Sequence, residues 1–137
     1  MIDKNEVGDG MLTEEQEIYR ENILDHYKHP HNAGVLNKCS HRHRELNPLC
    51  GDEIEVFLRV NGTSTIKDVK FTGKGCAISQ ASMSMLTEKI KQQPVNAVKQ
   101  MTKDDVLKML GIPIGVVRMN CALLGLKAVH KSLGVKI

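Results

Sequence analysis

Residues 1–12 show no hydrophobic period and are interrupted by Gly8 and Gly10, so a flexible tail is expected there. Thr13 then offers a helix N-cap, and Gln16 three residues on completes a capping box. Ile18, Ile23, Leu24 and Tyr27 follow at roughly helical spacing, and His29 before Pro30 predicts an end near Tyr27 or Lys28. The pattern fades between Val35 and Leu46, where a short strand is only faintly indicated. From Ile54 the period becomes two. Ile54, Val56, Leu58 and Val60 alternate with Glu53, Glu55, Phe57 and Arg59, which predicts a strand with one buried face. Asn61-Gly62 signals a hairpin, and Ile66, Val69 and Phe71 continue as a second strand whose slip predicts a bulge. Gly73-Lys74-Gly75-Cys76 turns into a helix bearing Ile78, Ala81, Met85, Leu86 and Ile90, with small residues that permit close packing. Thr102 and Asp105 start a further helix that ends at Gly111 before Pro113. The last helix is expected from about Asn120 to Leu133, closed by Gly134. One helix, a hairpin and three or four more helices read as an α+β fold, with residues 13–137 forming a single domain.

Composition narrows the function. The chain has 137 residues, 41% of them hydrophobic, enough for one core without covalent staples. Aromatics are 3% and Trp is absent, so the core must be aliphatic, with seven Met as filler. The net charge of +3 is spread out, the one dense basic stretch being His41 to Arg44. Nucleic-acid binders carry a denser basic stripe with stacking aromatics, so no nucleic-acid partner is expected. No apolar run approaches the roughly 20 residues that span a bilayer, so no membrane partner is expected. The polar, acidic N-terminus does not look like a signal peptide, and the expected location is cytoplasmic.

Four cysteines then become informative, because disulfides are rare in a reducing compartment. Cys50 precedes the first clear strand, Cys76 lies between a strand and a helix, and Cys121 stands where the last helix is expected to begin. Helix N-termini favour negative charge and hence thiolates, which are both nucleophiles and metal ligands. Gly51 lets the chain turn sharply, so that Cys50 and Asp52 can face one point. Three thiolates and a carboxylate suit tetrahedral zinc, and they also suit an iron–sulfur cluster held with one weak, hard ligand. Spacing alone does not choose, since the intervals are long and no Cys-x-x-Cys occurs. A buried Cys is also an ordinary small hydrophobe. Cys39 with His41 and His43 is a second, weaker metal candidate, and the histidines from His26 to His43 read either as a metal cluster or as solvated loop residues. A phosphate loop is excluded at Gly73–Cys76, which lacks the Gly-Lys-Ser/Thr ending. A Cys–His hydrolase has no local signature here.

Four stretches carry a family resemblance: HYKHPHNAGVL (His26 to Leu36), NPLCGDEI (Asn47 to Ile54), FTGKGCAISQASMSMLTE (Phe71 to Glu88) and RMNCALLGLKAV (Arg118 to Val129). In these the chain resembles the U-type iron–sulfur assembly scaffolds (IscU, SufU and the N-terminal domain of NifU), most of all the SufU branch. The resemblance implies a small antiparallel sheet of about three strands packed against four to six helices. It implies that Cys50, Asp52, Cys76 and Cys121 hold a transient cluster, [2Fe–2S] in type, or zinc, and it leaves Cys39 out. It implies a pyridoxal-phosphate cysteine desulfurase as sulfur donor and apo iron–sulfur proteins as acceptors. The chain is then a non-enzymatic scaffold or, in the alternative, a zinc-bound sulfurtransferase in which Cys50 accepts sulfur. Three positions depart from the pattern. Asn120 stands where IscU has His and SufU commonly Lys, and the SufU insertion between the second and third ligand cysteines is absent. Ile114-Gly115-Val116-Val117-Arg118 replaces the IscU chaperone motif Leu-Pro-Pro-Val-Lys.

Overall fold

The structure, a computed structural model, describes residues 12–48 and 51–134. The expected tail and Cys50 fall outside the described residues, apart from Leu12. Helix α1 (Glu14–Lys28) opens with the anticipated capping box, Thr13 and Gln16 each accepting the other's backbone N–H. Three strands follow, β1 (His41–Asn47), β2 (Asp52–Val60) and β3 (Ile66–Lys74), and then α2 (Ala77–Ile90), α3 (Val95–Lys99), α4 (Lys103–Leu110) and α5 (Val116–Ser132). The strands form one antiparallel sheet in the order β1-β2-β3. This is the expected α+β fold.

Alternation sorts the sheet into two faces. Ile54, Val56 and Leu58 of β2 pair with Gly73, Phe71 and Val69 of β3, and their side chains enter the core beneath α2 and α5. Arg59 pairs with Asp68 but Val60 pairs with Ile66, so Lys67 is the extra residue of the bulge anticipated from the slip in pattern. The hairpin loop is longer than a two-residue turn. Asn61 Oδ1 accepts from Thr63 and Thr65 N–H groups, and Ser64 (φ 58°), not Gly62, takes the left-handed conformation.

The faint signal before Leu46 is in fact a full edge strand. Its polarity hid it, because β1 reads HRHRELN. Ion pairs hold those charges: Arg42 to Glu55 at 2.6 Å, Arg44 to Glu53, and Glu45 to Lys131 of α5 at 3.0 Å. Arg42 also lies 4.9 Å from the centroid of the Phe57 ring, a solvent-side aromatic that is only 1% exposed. The outer edge of β3 is covered by the loop after α1, through Gly34 N–H to Phe71 O (2.8 Å) and Phe71 N–H to Asn32 O (3.1 Å).

The helices pack through the small residues singled out in the sequence. Ser82 donates to Ala122 O at 2.8 Å, and Gly125 faces Met83, so α2 and α5 approach closely. Helix α4 has its own capping box at Thr102–Asp105 and ends at Gly111 (φ 73°). One expectation fails. Helix α5 begins at Val116, not Asn120, so Cys121 lies inside the helix in its second turn. The helix-terminus argument for its thiolate therefore does not apply, because the dipole's effect is confined to the first turn.

Candidate functional site

The site is assembled where the β1–β2 hairpin, the β3–α2 turn and helix α5 converge. Asn47 and Asp52 are paired across β1 and β2, so both side chains point to the core face, and residues 48–51 connect them. Gly51 (φ 72°) turns that connection, and its N–H donates to Asn47 O at 2.9 Å. Cys50 belongs to this connection in the sequence but lies outside the described residues.

Cys76 is the N-cap of α2, so its side chain stands at the positive end of that helix. Its N–H donates to Asp52 Oδ1 at 2.9 Å, and its Sγ lies 3.9 Å from Asp52 Oδ2. Gly75 (φ 144°) makes this approach achievable. A Cβ there would fall 2.7 Å from Asp52 Cγ and closer still to Oδ1. Cys121 enters from α5, fully buried, with Asn47 Nδ2 donating to its Sγ at 3.8 Å. One donor atom each of Asp52, Cys76 and Cys121 lie within 4.8 Å of one another. Asp52 is 1% exposed and Cys121 is 0% exposed, whereas Cys76 is partly open to solvent. A buried carboxylate beside two sulfurs, with one oxygen held by a backbone N–H, is a donor set that fits zinc or a cluster iron. Beside it, a cavity of about 470 Å³ is lined by residues including Asn47, Pro48, Asn120, Leu123 and Lys127.

The structure thus unites three of the four residues singled out in the sequence. Cys39, His41 and His43 form no such group among the described residues: His41 contacts Ser40 and His43 contacts Glu45. Two roles were not anticipated. Asn47 faces Cys121, and its place at the head of NPLCGD was the only hint. Gly75 is the space that admits Asp52, in a turn whose two glycines advertised unusual backbone. The histidines near the end of α1 also partly gather. His26 of α1 and His31 of the following loop lie with ring centroids 4.4 Å apart and tilted by 42°, near Glu88 of α2. Burial, then the nearby His31, holds His26 below its ordinary value against the opposing influence of Asp25, so the ring is neutral at neutral pH.

Comparison with known proteins agrees with this picture. Residues 18–135 match the family model of the NifU-like N-terminal domain. The zinc-dependent sulfurtransferase SufU of Bacillus subtilis is 35% identical, over 85% of this chain and 89% of the relative. The iron–sulfur cluster assembly scaffold protein IscU of Aquifex aeolicus is 34% identical, over 84% of this chain and 73% of the relative. Among solved structures, a candidate iron–sulfur cluster assembly scaffold for the SUF system of Fervidobacterium islandicum superposes with a TM-score of 0.70 at 26% identity. That match covers 86% of this chain and 98% of that one. No helix among the described residues is long and apolar enough to cross a membrane. Fold, convergent Cys–Asp–Cys geometry and sequence match together show that the chain belongs to the NifU-like N-terminal domain family, alongside the SufU and IscU proteins.

Proposed function

We propose that this protein is an iron–sulfur cluster assembly scaffold that builds a labile cluster, [2Fe–2S] in type, on Cys50, Asp52, Cys76 and Cys121 and passes it to apo acceptor proteins. The observation that supports this most is the approach of Asp52, Cys76 and Cys121 to within 4.8 Å from three separate parts of the fold. Cluster ligation prefers four thiolates, so a carboxylate in the set weakens the hold on the cargo. Sulfur would come from a pyridoxal-phosphate cysteine desulfurase, in a cytoplasmic setting that keeps the thiols reduced. Anaerobic reconstitution with ferrous iron, cysteine and a desulfurase should give visible cluster absorption that is lost in Cys76→Ser. A protein that stays colourless across iron and sulfide ratios refutes the scaffold reading.

A second reading rests on the 35% identity to a protein named a zinc-dependent sulfurtransferase. The same donors suit tetrahedral zinc, which when bound would keep the thiols as thiolates. Cys50 thiolate would then attack the outer sulfur of the desulfurase persulfide. A new S–S bond forms on Cys50, the donor's S–S bond breaks, and the desulfurase cysteine leaves as thiolate. This reading predicts one zinc per chain at the thiolate site and faster desulfurase turnover when the protein is added. Unchanged turnover refutes it. The short connection between Cys76 and Cys121 sets this chain apart from the SufU pattern and favours the first reading, whereas Asn120 departs from both patterns.

A further inference from the structure

We propose that His26, His31 and Glu88 form a metal site of their own, for a borderline first-row divalent cation of the zinc class, separate from the thiolate cluster. One ring nitrogen of each histidine and a carboxylate oxygen of Glu88 lie within 4.8 Å of one another. Zinc–donor bonds of about 2.0–2.2 Å require donors closer than that limit. The adjustment falls on the two mobile members, since the side chains of His31 and Glu88 are 43% and 48% exposed. His26 is the fixed member, only 6% exposed, with Nδ1 2.7 Å from Ser84 Oγ.

Three features argue for a built site over a chance ion pair of His31 with Glu88. First, Ser84 Oγ also accepts the backbone N–H of His31 at 2.7 Å, so one hydroxyl on α2 anchors both histidines. The contact to Nδ1 fixes the His26 ring as outer contacts do in metal sites, and the contact to the His31 N–H fixes its main chain. Second, the loop carrying His31 is fastened down at the next residue. Asn32 Nδ2 donates to Thr87 Oγ1 at 3.0 Å, and Asn32 itself holds a left-handed conformation (φ 59°). Third, the rings of His26 and His31 already lie with centroids 4.4 Å apart, so the two imidazoles are gathered before any cation binds. Two imidazoles and a carboxylate select zinc, cobalt or nickel over calcium or magnesium, and they leave coordination positions open to water. The site is remote from the first. Glu88 lies twelve residues along α2 from Cys76, about 18 Å at a rise of about 1.5 Å per residue.

The test is an anaerobic Co²⁺ titration of the untagged, chelator-stripped full chain, counting bound ions by equilibrium dialysis. Thiolate-bound cobalt gives near-ultraviolet charge transfer, whereas a His–His–Glu ion adds only visible ligand-field absorption. His31→Ala and Glu88→Gln, both at exposed positions, are expected to bind one ion fewer per chain than the parent, with charge-transfer intensity unchanged. The count identifies the site whether or not the thiolate cluster loads, so its failure is distinct from failure of the scaffold reading. An unchanged count in both variants overturns the proposal. So does a loss of charge transfer in parallel with the count, which would place the ion on the thiolates.

Discussion

Gly75→Ala tests the geometry on which the thiolate site depends. Gly75 has φ 144°, a conformation that side chains rarely adopt, and its missing Cβ is the space that Asp52 fills. A methyl there would fall 2.7 Å from Asp52 Cγ and 3.0 Å from its Cβ, where ordinary contact begins near 3.4 Å. Asp52 is 1% exposed and has no open solvent to retreat into. Either the backbone moves or the carboxylate does. Backbone strain of this kind costs about 1–3 kcal/mol. Displacing the carboxylate also loses the bond from Cys76 N–H, and hydrogen bonds to charged groups contribute about 1.5–3 kcal/mol. The expected destabilisation is therefore about 2.5–6 kcal/mol.

Gly51→Ala is the matched control. Gly51 also has a positive φ (72°), but nothing lies within 4 Å of its Cβ position, so strain alone of about 1–2 kcal/mol is expected. The assay is urea unfolding of both variants with chelator present, so that metal binding does not mask the difference. Combining Gly75→Ala with Asp52→Ala removes the colliding carboxyl group. The double variant should fall short of additivity by about 1–3 kcal/mol. Equal costs for the two glycine variants, or strict additivity in the double variant, would refute the close approach of Gly75 to Asp52.

Further outcomes follow from neighbouring features. Asp52→Ala should slow transfer of a reconstituted cluster to an acceptor, because the hard ligand is removed while thiolates remain; faster transfer contradicts the ligand-softness argument. Cys39→Ser should leave metal content unchanged by elemental analysis, since Cys39 joins no ligand group among the described residues. His26 should make the metal-free protein less stable in acid. Its folded value is held below 6.5, so below that pH the unfolded chain binds more protons than the native one. The stability it contributes is complete above about pH 6.5 and is lost as pH falls toward the lower folded value. Urea midpoints at neutral and mildly acidic pH should therefore differ less in His26→Gln than in the parent.

Elements with strong local chemistry could be read from the chain alone. The capping box at Thr13, the helix start at Thr102 and the period-two run of β2 all stand where the residues put them, because each is decided by neighbours within a few positions. Two elements were obscured by missing local signals. Strand β1 is stabilised by cross-strand ion pairs whose partners, Glu53 and Glu55, are remote in sequence, so HRHREL carries little apolar alternation. Helix α5 has Gly115 as its N-cap, with no side-chain cap and no acid in its first turn, and it opens on Val116 and Val117, 91% and 72% exposed. β-branched residues on open surface give no start signal, so the sequence points to a start near Asn120 instead. The site was legible only in part for a similar reason. Residue type nominated Asp52, Cys76 and Cys121, but long intervals hid their convergence, and only the family likeness supplied it. His26 and His31 are brought to α2 by Ser84, more than fifty residues away in the chain, which no local pattern marks.

The two oxygens of Asp52 connect the fold to the proposed chemistry. Oδ1 is taken by the backbone N–H of Cys76, while Oδ2 lies toward Cys76 Sγ. One carboxylate therefore positions the helix cap that carries Cys76, and the backbone donor falls on Oδ1, not on Oδ2. Oδ1 keeps a lone pair beside the N–H, but its hydrogen bond makes Oδ2 the freer donor. In the proposed scaffold, Asp52 would therefore serve as the hard, weakly held ligand beside the cysteines. Labile ligation and a preformed site would ordinarily oppose each other. In the proposed scaffold they would be reconciled at Asp52: the N–H···O contact admitted by the missing side chain of Gly75 holds the carboxylate in place whether or not Oδ2 is bonded to a cargo, so a weak ligand need not mean a loose site.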